Sequence, residues 1–345
     1  MTKLPRYRTG DPELDELVAR LVDETGGTPH SDLVFELIAS AVRMAREHAE
    51  RGDLKIANAA LKEMRYAFRA FAPYRAARKA AIFGSARVEA HDPLYEQTRR
   101  LAATLAERDW MVITGAGPGI MEAGVEGAGP EQSFGVSIRL PFEAAATQFV
   151  VGDPKLVNFR YFFTRKLAFI KEAHGFVLMP GGFGTLDEAF ELLTLLQTGK
   201  TEPAPIVLLD VPGGTYWAHW RTFVEAEIAG SGYISKPDLD LVRVFNDVDA
   251  AVEELVSFYT NYQSQRFVEG RLVLRMREAP SVAECARLSD EFADLLVRGN
   301  IEGIEATDAE IADDDALDLE RLALWFDRRS WARLRALIDQ LNGRR

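Results

Sequence analysis

Pro180-Gly181-Gly182-Phe183-Gly184-Thr185-Leu186-Asp187-Glu188 follows directly on the apolar run Phe176-Val177-Leu178-Met179. The string reads as a buried strand, a glycine-rich turn and the start of a helix. Three glycines within four positions, 181 to 184, let the backbone approach a ligand that side chains would hold away. Such a turn delivers its N–H groups to a helix amino terminus, where unpaired donors and the helix dipole favour an anion. Glu188 follows one turn into the helix. A phosphate cradle beside a carboxylate points to chemistry on a phosphorylated small molecule.

Working outward, short apolar runs alternate with helical patterns from Ala80 to about Tyr262. The runs are Ala81-Ile82-Phe83, Met111-Val112-Ile113, Phe134 to Ile138, Phe149-Val150-Val151, Phe176 to Met179, Ile206 to Leu209 and Leu241 to Phe245. This alternation predicts an α/β fold, an open, mostly parallel sheet with helices on both faces. Glycine-rich turns follow the first, second and fifth runs. They belong at the carboxyl ends of the strands, where open α/β sheets bind ligands.

Both ends differ from this middle. Residues 1 to about 75 read as helices. Asp11-Pro12 opens one through Leu21, Ser31 caps a second, and Asp53 caps a third running to Phe71. Arg75, Arg78 and Lys79 mark a junction. Beyond residue 262, Leu272 to Met276 reads as a strand, Val282 to Leu296 as an amphipathic helix and Leu322 to Leu341 as a last helix. Between those helices, Glu302 to Glu320 is acidic and lacks Lys and Arg, which suggests a solvated or self-pairing surface beside the arginines of the last helix.

The chain has 345 residues, 47% of them hydrophobic, enough for more than one domain, and a formal net charge of −12. That charge disfavours nucleic acid and anionic membrane as general partners. The single cysteine, Cys285, precludes an internal disulfide framework and fits a reducing cytoplasm. The first residues lack the apolar stretch of a signal peptide, and no apolar run approaches membrane-spanning length. We therefore expect a cytoplasmic protein.

Glu188 has two readings. Thr185 and Glu188 have the spacing of a capping box, which would make the carboxylate structural. If a phosphate occupies the helix start, the same carboxylate points toward the sugar of a bound nucleotide, where it can activate water or stabilise developing positive charge. In Phe159 to Ala173, Phe159, Phe162, Phe163, Leu167 and Ile170 form one helical face with Lys166 at its centre and Arg165 on its flank. A lysine so placed suggests a cation facing a pocket or a subunit seam, and an arginine can clamp a phosphate bidentately. Gly115-Ala116-Gly117-Pro118-Gly119-Ile120-Met121-Glu122 is a second glycine-rich turn. It departs from a dinucleotide fingerprint in its third glycine and in its position after the second strand, and the third strand ends in Arg139 rather than an acid. Gly84-Ser85-Ala86-Arg87 can add contacts; Arg87 alone reads equally well as a simple connector. His30, His48, His91, His174 and His219 have no metal-ligand spacing, and no nucleophile elbow is present.

Three strings in this order, GAGPGIMEAG at 115 to 124, the Arg165-Lys166 pair and PGGFGTLDE at 180 to 188, resemble the LOG family of cytokinin riboside 5′-monophosphate phosphoribohydrolases and bacterial nucleotide nucleosidases. The resemblance covers about residues 78 to 262 and meets the family pattern PGGxGTxxE in full. It implies a Rossmann-like fold and hydrolysis of a nucleoside 5′-monophosphate to free base and ribose 5-phosphate, with no cofactor. Arg165 and Glu188 match the catalytic pair. Gly181, Gly182, Gly184 and Thr185 match the phosphate turn, with Gly84, Ser85, Gly117, Gly119, Met121 and Lys166 as further substrate contacts. It also implies a homodimer with helices near Arg165-Lys166 at the seam. Although the family often carries the label lysine decarboxylase, no residue pattern here supports a pyridoxal phosphate enzyme. Residues 1–77 and 263–345 are expected to be a helical and an α+β extension without counterparts in the minimal enzymes. A nucleotide sensor or carrier using the same cradle without turnover is the competing expectation.

Overall fold

The computed structural model describes residues 5–26, 28–138 and 153–343. The chain forms two compact units, residues 1–65 and 66–345. The first contains α1 (Pro12–Glu24), α2 (Ser31–Arg46) and most of α3 (Arg51–Phe71). Asp11 caps α1 through its carboxylate, with Pro12 at the first helical position. The expected caps at Ser31 and Asp53 both lie inside their helices: α2 starts at Ser31 after His30, and α3 starts two residues before Asp53. Val18, Val22, Phe35 and Ala39 form the small core of this unit.

The second unit continues with β1 (Lys79–Phe83), α4 (Pro93–Glu107), β2 (Met111–Thr114), α5 (Ile120–Ala128), β3 (Ser133–Ile138), β4 (Leu156–Phe159), α6 (Phe162–Glu172), β5 (Gly175–Leu178), α7 (Phe183–Gln197), β6 (Ile206–Leu209), α8 (Tyr216–Phe223), β7 (Val242–Phe245) and α9 (Val248–Ser257). The seven strands form one sheet in the order β4-β3-β2-β1-β5-β6-β7. Every neighbouring pair is parallel. The strands are apolar on both faces because helices cover both. Ile82, Val112, Val177 and Val207 enter one core, while Ala81, Ile113, Phe176 and Leu208, one residue displaced, enter the other. Strand order reverses at β1, between β2 and β5, so the turns after these three strands meet at one crevice.

One expectation changes here. Phe159 is the buried end of strand β4 rather than a helical residue, and α6 begins three residues later. The expected strand at Phe149–Val151, like Arg139, lies outside the described residues.

The chain ends with β8 (Tyr262–Val268), β9 (Arg271–Met276), α10 (Val282–Glu291), β10 (Leu296–Ile304), α11 (Asp308–Asp313), β11 (Glu320–Phe326) and α12 (Trp331–Leu341). Its strands form an antiparallel sheet ordered β10-β11-β9-β8. The expected helix from Leu322 therefore begins as a strand: Leu322, Ala323, Leu324 and Phe326 are buried, and α12 starts only at Trp331. Likewise α10 stops at Glu291, short of Leu296. Leu272, Leu274, Leu324 and Leu334 join the same core as Ile82 and Val177, so the antiparallel sheet is fused to the parallel one. The acidic stretch pairs with strand arginines rather than with the last helix. Glu310, fully buried, bridges Arg275 at 2.8 Å and Arg321 at 3.2 Å, and Arg266 takes Asp313 and Asp315.

Candidate active site

The β1, β2 and β5 turns enclose a cleft of about 760 Å³ at the carboxyl edge of the sheet. Gly84, Ser85, Gly117, Met121, Arg165, Gly181, Gly182, Gly184, Thr185 and Glu188 all line it. Gly119 and Lys166 do not. Gly119 caps α5 at φ +68°, and a Cβ there would lie 2.5 Å from the Ser85 carbonyl oxygen, so it holds two turns together. Arg87, left open above, is on the lining, together with Phe162 and Phe183.

The turns fix one another through backbone bonds. The Ser85 amide donates to the Pro180 carbonyl at 3.3 Å, and the Ile120 amide to the Ser85 carbonyl at 3.1 Å. Tyr216, which carried no sequence signal, donates its hydroxyl to the Gly181 carbonyl at 2.7 Å. It reaches the turn from the next crossover, a contact that no local pattern announces.

The cap of α7 is Gly182, not Thr185. Thr185 and Glu188 both lie inside the helix, and the capping-box reading of Glu188 falls with that. The first amides of α7 have no intrahelical partners and open on the cleft. Gly181 is glycine for internal reasons, since a Cβ would lie 2.2 Å from Thr185 Oγ1. Gly182 and Gly184 are different. Neither has a positive φ, and a Cβ on either would meet nothing within 4 Å. The folded chain itself would accept a side chain at both positions, so the space they leave suits a ligand held against the backbone.

Arg165 reaches the same cleft from α6, on the side of Gly115. Its Nε donates to the Val136 carbonyl at 2.9 Å, its guanidinium stands 5.2 Å from the centre of the Phe169 ring, and a Cβ on Gly115 would lie 2.5 Å from Nη2. Glu188 is 7% exposed. Burial raises its pKa above the ordinary glutamate range, against the lowering pull of Lys166 and Arg165. Lys166 Nζ lies 3.4 Å from Glu188, 2.9 Å from Asp187 and 2.5 Å from Glu191. Burial opposes the lysine charge, but hydrogen bonds to Glu191 and Asp187 and the charge of Glu188 prevail and raise its pKa. Lys166 thus stands behind Glu188 rather than in the cleft. The expected apolar stripe of α6 exists only in part: Phe162, Phe163 and Leu167 remain exposed, while Ala168 and Phe169 face the core. Among the described residues no group of three His, Cys, Asp or Glu is placed to hold a metal, and no helix is long and apolar enough to cross a membrane.

Residues 117–255 match the family model described as "Possible lysine decarboxylase". Over 167 residues the chain is 26% identical to a cytokinin riboside 5′-monophosphate phosphoribohydrolase of Mycobacterium marinum, covering 47% of this chain and 86% of that protein. The α/β core is thus similar to the LOG family. An Arabidopsis thaliana LOG protein of the same activity is 29% identical over 180 residues, 48% of this chain and 80% of its own length. A pyrimidine/purine nucleotide 5′-monophosphate nucleosidase of Escherichia coli is 31% identical over 124 residues, 33% of this chain but 27% of that protein. Among solved structures, a molybdenum cofactor carrier protein from Chlamydomonas reinhardtii is 19% identical, with a TM-score of 0.33 over 52% of this chain and 98% of its own. The matches to the LOG relatives leave about half of this chain without a counterpart.

Proposed function

We propose that this chain hydrolyses the N-glycosidic bond of a nucleoside 5′-monophosphate, with a purine nucleotide such as AMP as first candidate. The observation that carries the proposal is the open space over Gly182 and Gly184, at the amino end of α7, with the buried Glu188 carboxylate on the same lining. The 5′-phosphate is held by the α7 amides and by Arg165, in the space that a Cβ at 182 or 184 would take. That anchor turns the ribose toward Glu188. The carboxylate takes a proton from water as the water oxygen bonds to C1′. The C1′–N bond electrons leave with the base, which takes a proton from solvent while Glu188 gives its own back to solvent, and ribose 5-phosphate remains. Charge placed in advance around the oxocarbenium-like transition state supplies the main rate term. The step as written calls on no metal or redox cofactor.

The exposed Phe162, Phe163 and Leu167 on α6 support a second part of the reading. This face is the seam of a homodimer, which places a neighbouring copy beside the cleft. The protein acts in the cytoplasm, where its substrate is made and its lone thiol stays reduced.

Purified protein incubated with AMP, GMP, CMP and UMP, with free base read by chromatography, tests the proposal. Release from at least one nucleotide, lost in Glu188→Gln, is expected. Release from none contradicts the hydrolase reading, and undiminished release by Glu188→Gln removes the glutamate from its role. Saturable binding of nucleotide without turnover would instead support a sensor or carrier.

A further inference from the structure

A second cleft, of about 610 Å³, lies at the opposite edge of the parallel sheet. Arg78 and His174, on its lining, immediately precede β1 and β5, whose far ends carry the catalytic turns. Strand β8 of the antiparallel sheet supplies another wall through Gln263 to Phe267. With five residues in β1 at about 3.3 Å each, roughly 16 Å separates the two clefts. One small ligand cannot fill both.

The charge of this second cleft runs against that of the protein. In a chain of net charge −12, its lining carries Arg78, Lys171, Lys200 and Arg266 against one carboxylate, Glu202. Lys171 is paired with Glu172, and Arg266 with Asp313 and Asp315. Among the described residues neither Arg78 nor Lys200 has an ion pair. Arg78 instead lies 3.9 Å over the Tyr259 ring and donates to Gln263 Oε1 at 2.8 Å. Burial lowers its pKa, the mark of a cation held without a full counter-charge. His174 Nδ1 accepts the Lys79 amide at 3.2 Å, and burial with Arg78 and Lys79 nearby drops its pKa to about 3. It is therefore neutral with its proton on Nε2, a donor toward an anion.

We infer that this cleft is a binding site for a small phosphate-bearing anion distinct from the substrate, with Arg78 and Lys200 as its principal cations. The site gives the appended antiparallel sheet a function, since β8 closes it. The inference rests on this cleft alone and stands whether or not the catalytic reading does.

Inorganic pyrophosphate titrated calorimetrically into the full chain tests it, using wild type, Lys200→Glu, Arg78→Gln and Arg165→Gln. The expected result is a binding event that survives Arg165→Gln and weakens tenfold or more in Lys200→Glu and in Arg78→Gln. Should Arg78→Gln fail to fold, Lys200→Glu decides, because Lys200 is exposed. The inference is overturned if wild type binds no pyrophosphate at millimolar concentration, if Arg165→Gln abolishes all binding, or if Lys200→Glu binds within twofold of wild type.

Discussion

Replacing Gly184 by alanine should stabilise the protein and cripple it. Gly184 is the second residue of α7, with nothing within 4 Å of its would-be Cβ. Within a helix, glycine to alanine gains about 0.5–1 kcal/mol, largely by restricting the unfolded chain. That space is where the proposed phosphate sits. A methyl group there pushes the phosphate off the α7 amides and breaks at least one charge-assisted hydrogen bond, about 1.5–3 kcal/mol. The resulting fall in kcat/KM is roughly 10- to 150-fold. Thermal melting should be unchanged or raised in the same variant. Gly181→Ala is the control of opposite sign for stability: its Cβ would lie 2.2 Å from Thr185 Oγ1 and 3.1 Å from the Ser85 amide, so the turn must shift and the melting temperature should drop. Steady-state kinetics with AMP and a melting curve on each variant settle the matter. A Gly184→Ala protein with kcat/KM within twofold of wild type would refute the placement of the phosphate.

Other outcomes follow from the same geometry. Glu188→Gln should lower kcat by about 10²–10⁴-fold while nucleotide binding, read by calorimetry, persists. Because the reaction uses the carboxylate, activity grows as pH rises through the Glu188 pKa, and burial puts that limb above the ordinary glutamate value. Lys166→Met removes a lowering charge 3.4 Å away, so the acid limb of kcat/KM should move to still higher pH; a limb that stays in place or moves down would exclude the coupling. Glu310 is buried, yet its bonds to Thr307 and Arg275 overcome the burial and bring its pKa down to about 2. A depressed carboxylate contributes stability above its unfolded pKa that is lost as pH falls toward 2, so acid unfolding should begin below about pH 4.5. Glu310→Gln, which takes the shared carboxylate from buried Arg275 and Arg321 but leaves Arg275 its Asp315 at 2.6 Å, should cost about 1.5–3 kcal/mol in urea denaturation at pH 7 and flatten that acid dependence. Leu167→Glu on the exposed face of α6 should shift the mass measured by light scattering from dimer toward monomer; an unchanged dimer would place the seam elsewhere.

The sheet was legible where strands are apolar on both faces, as at Phe176 to Met179, because helix-covered parallel strands need no alternation and stand out from the helical patterns beside them. Legibility failed where two elements share one continuous apolar signal. Leu156 to Phe159 runs on through two residues into α6, and its last phenylalanine fits the helical face equally well. Leu322 to Phe326 is ambiguous in its own way, since Leu322, Trp325 and Phe326 fit the helical period while Leu322, Leu324 and Phe326 fit the strand period. The cradle was readable because its residues are consecutive. What supports it was not: Tyr216 arrives from a later crossover, and the three carboxylates around Lys166 come from a helix that starts eleven residues after α6 ends. Thr185 and Glu188 have a cap's spacing, yet the helix starts earlier because glycine, without a side chain, is itself an acceptable cap at 182. The second cleft assembles residues from five places between 78 and 331, so only the folded chain could reveal it.

The central claim is that the phosphate rests on the amino end of α7 with the sugar turned to Glu188. A crystal structure of Glu188→Gln soaked with AMP measures that directly. The account requires a phosphate oxygen within about 3.2 Å of an amide between residues 182 and 185, with C1′ on the side of residue 188. A phosphate seated instead on the turn at 115–119, with the ribose directed away from residue 188, would contradict it.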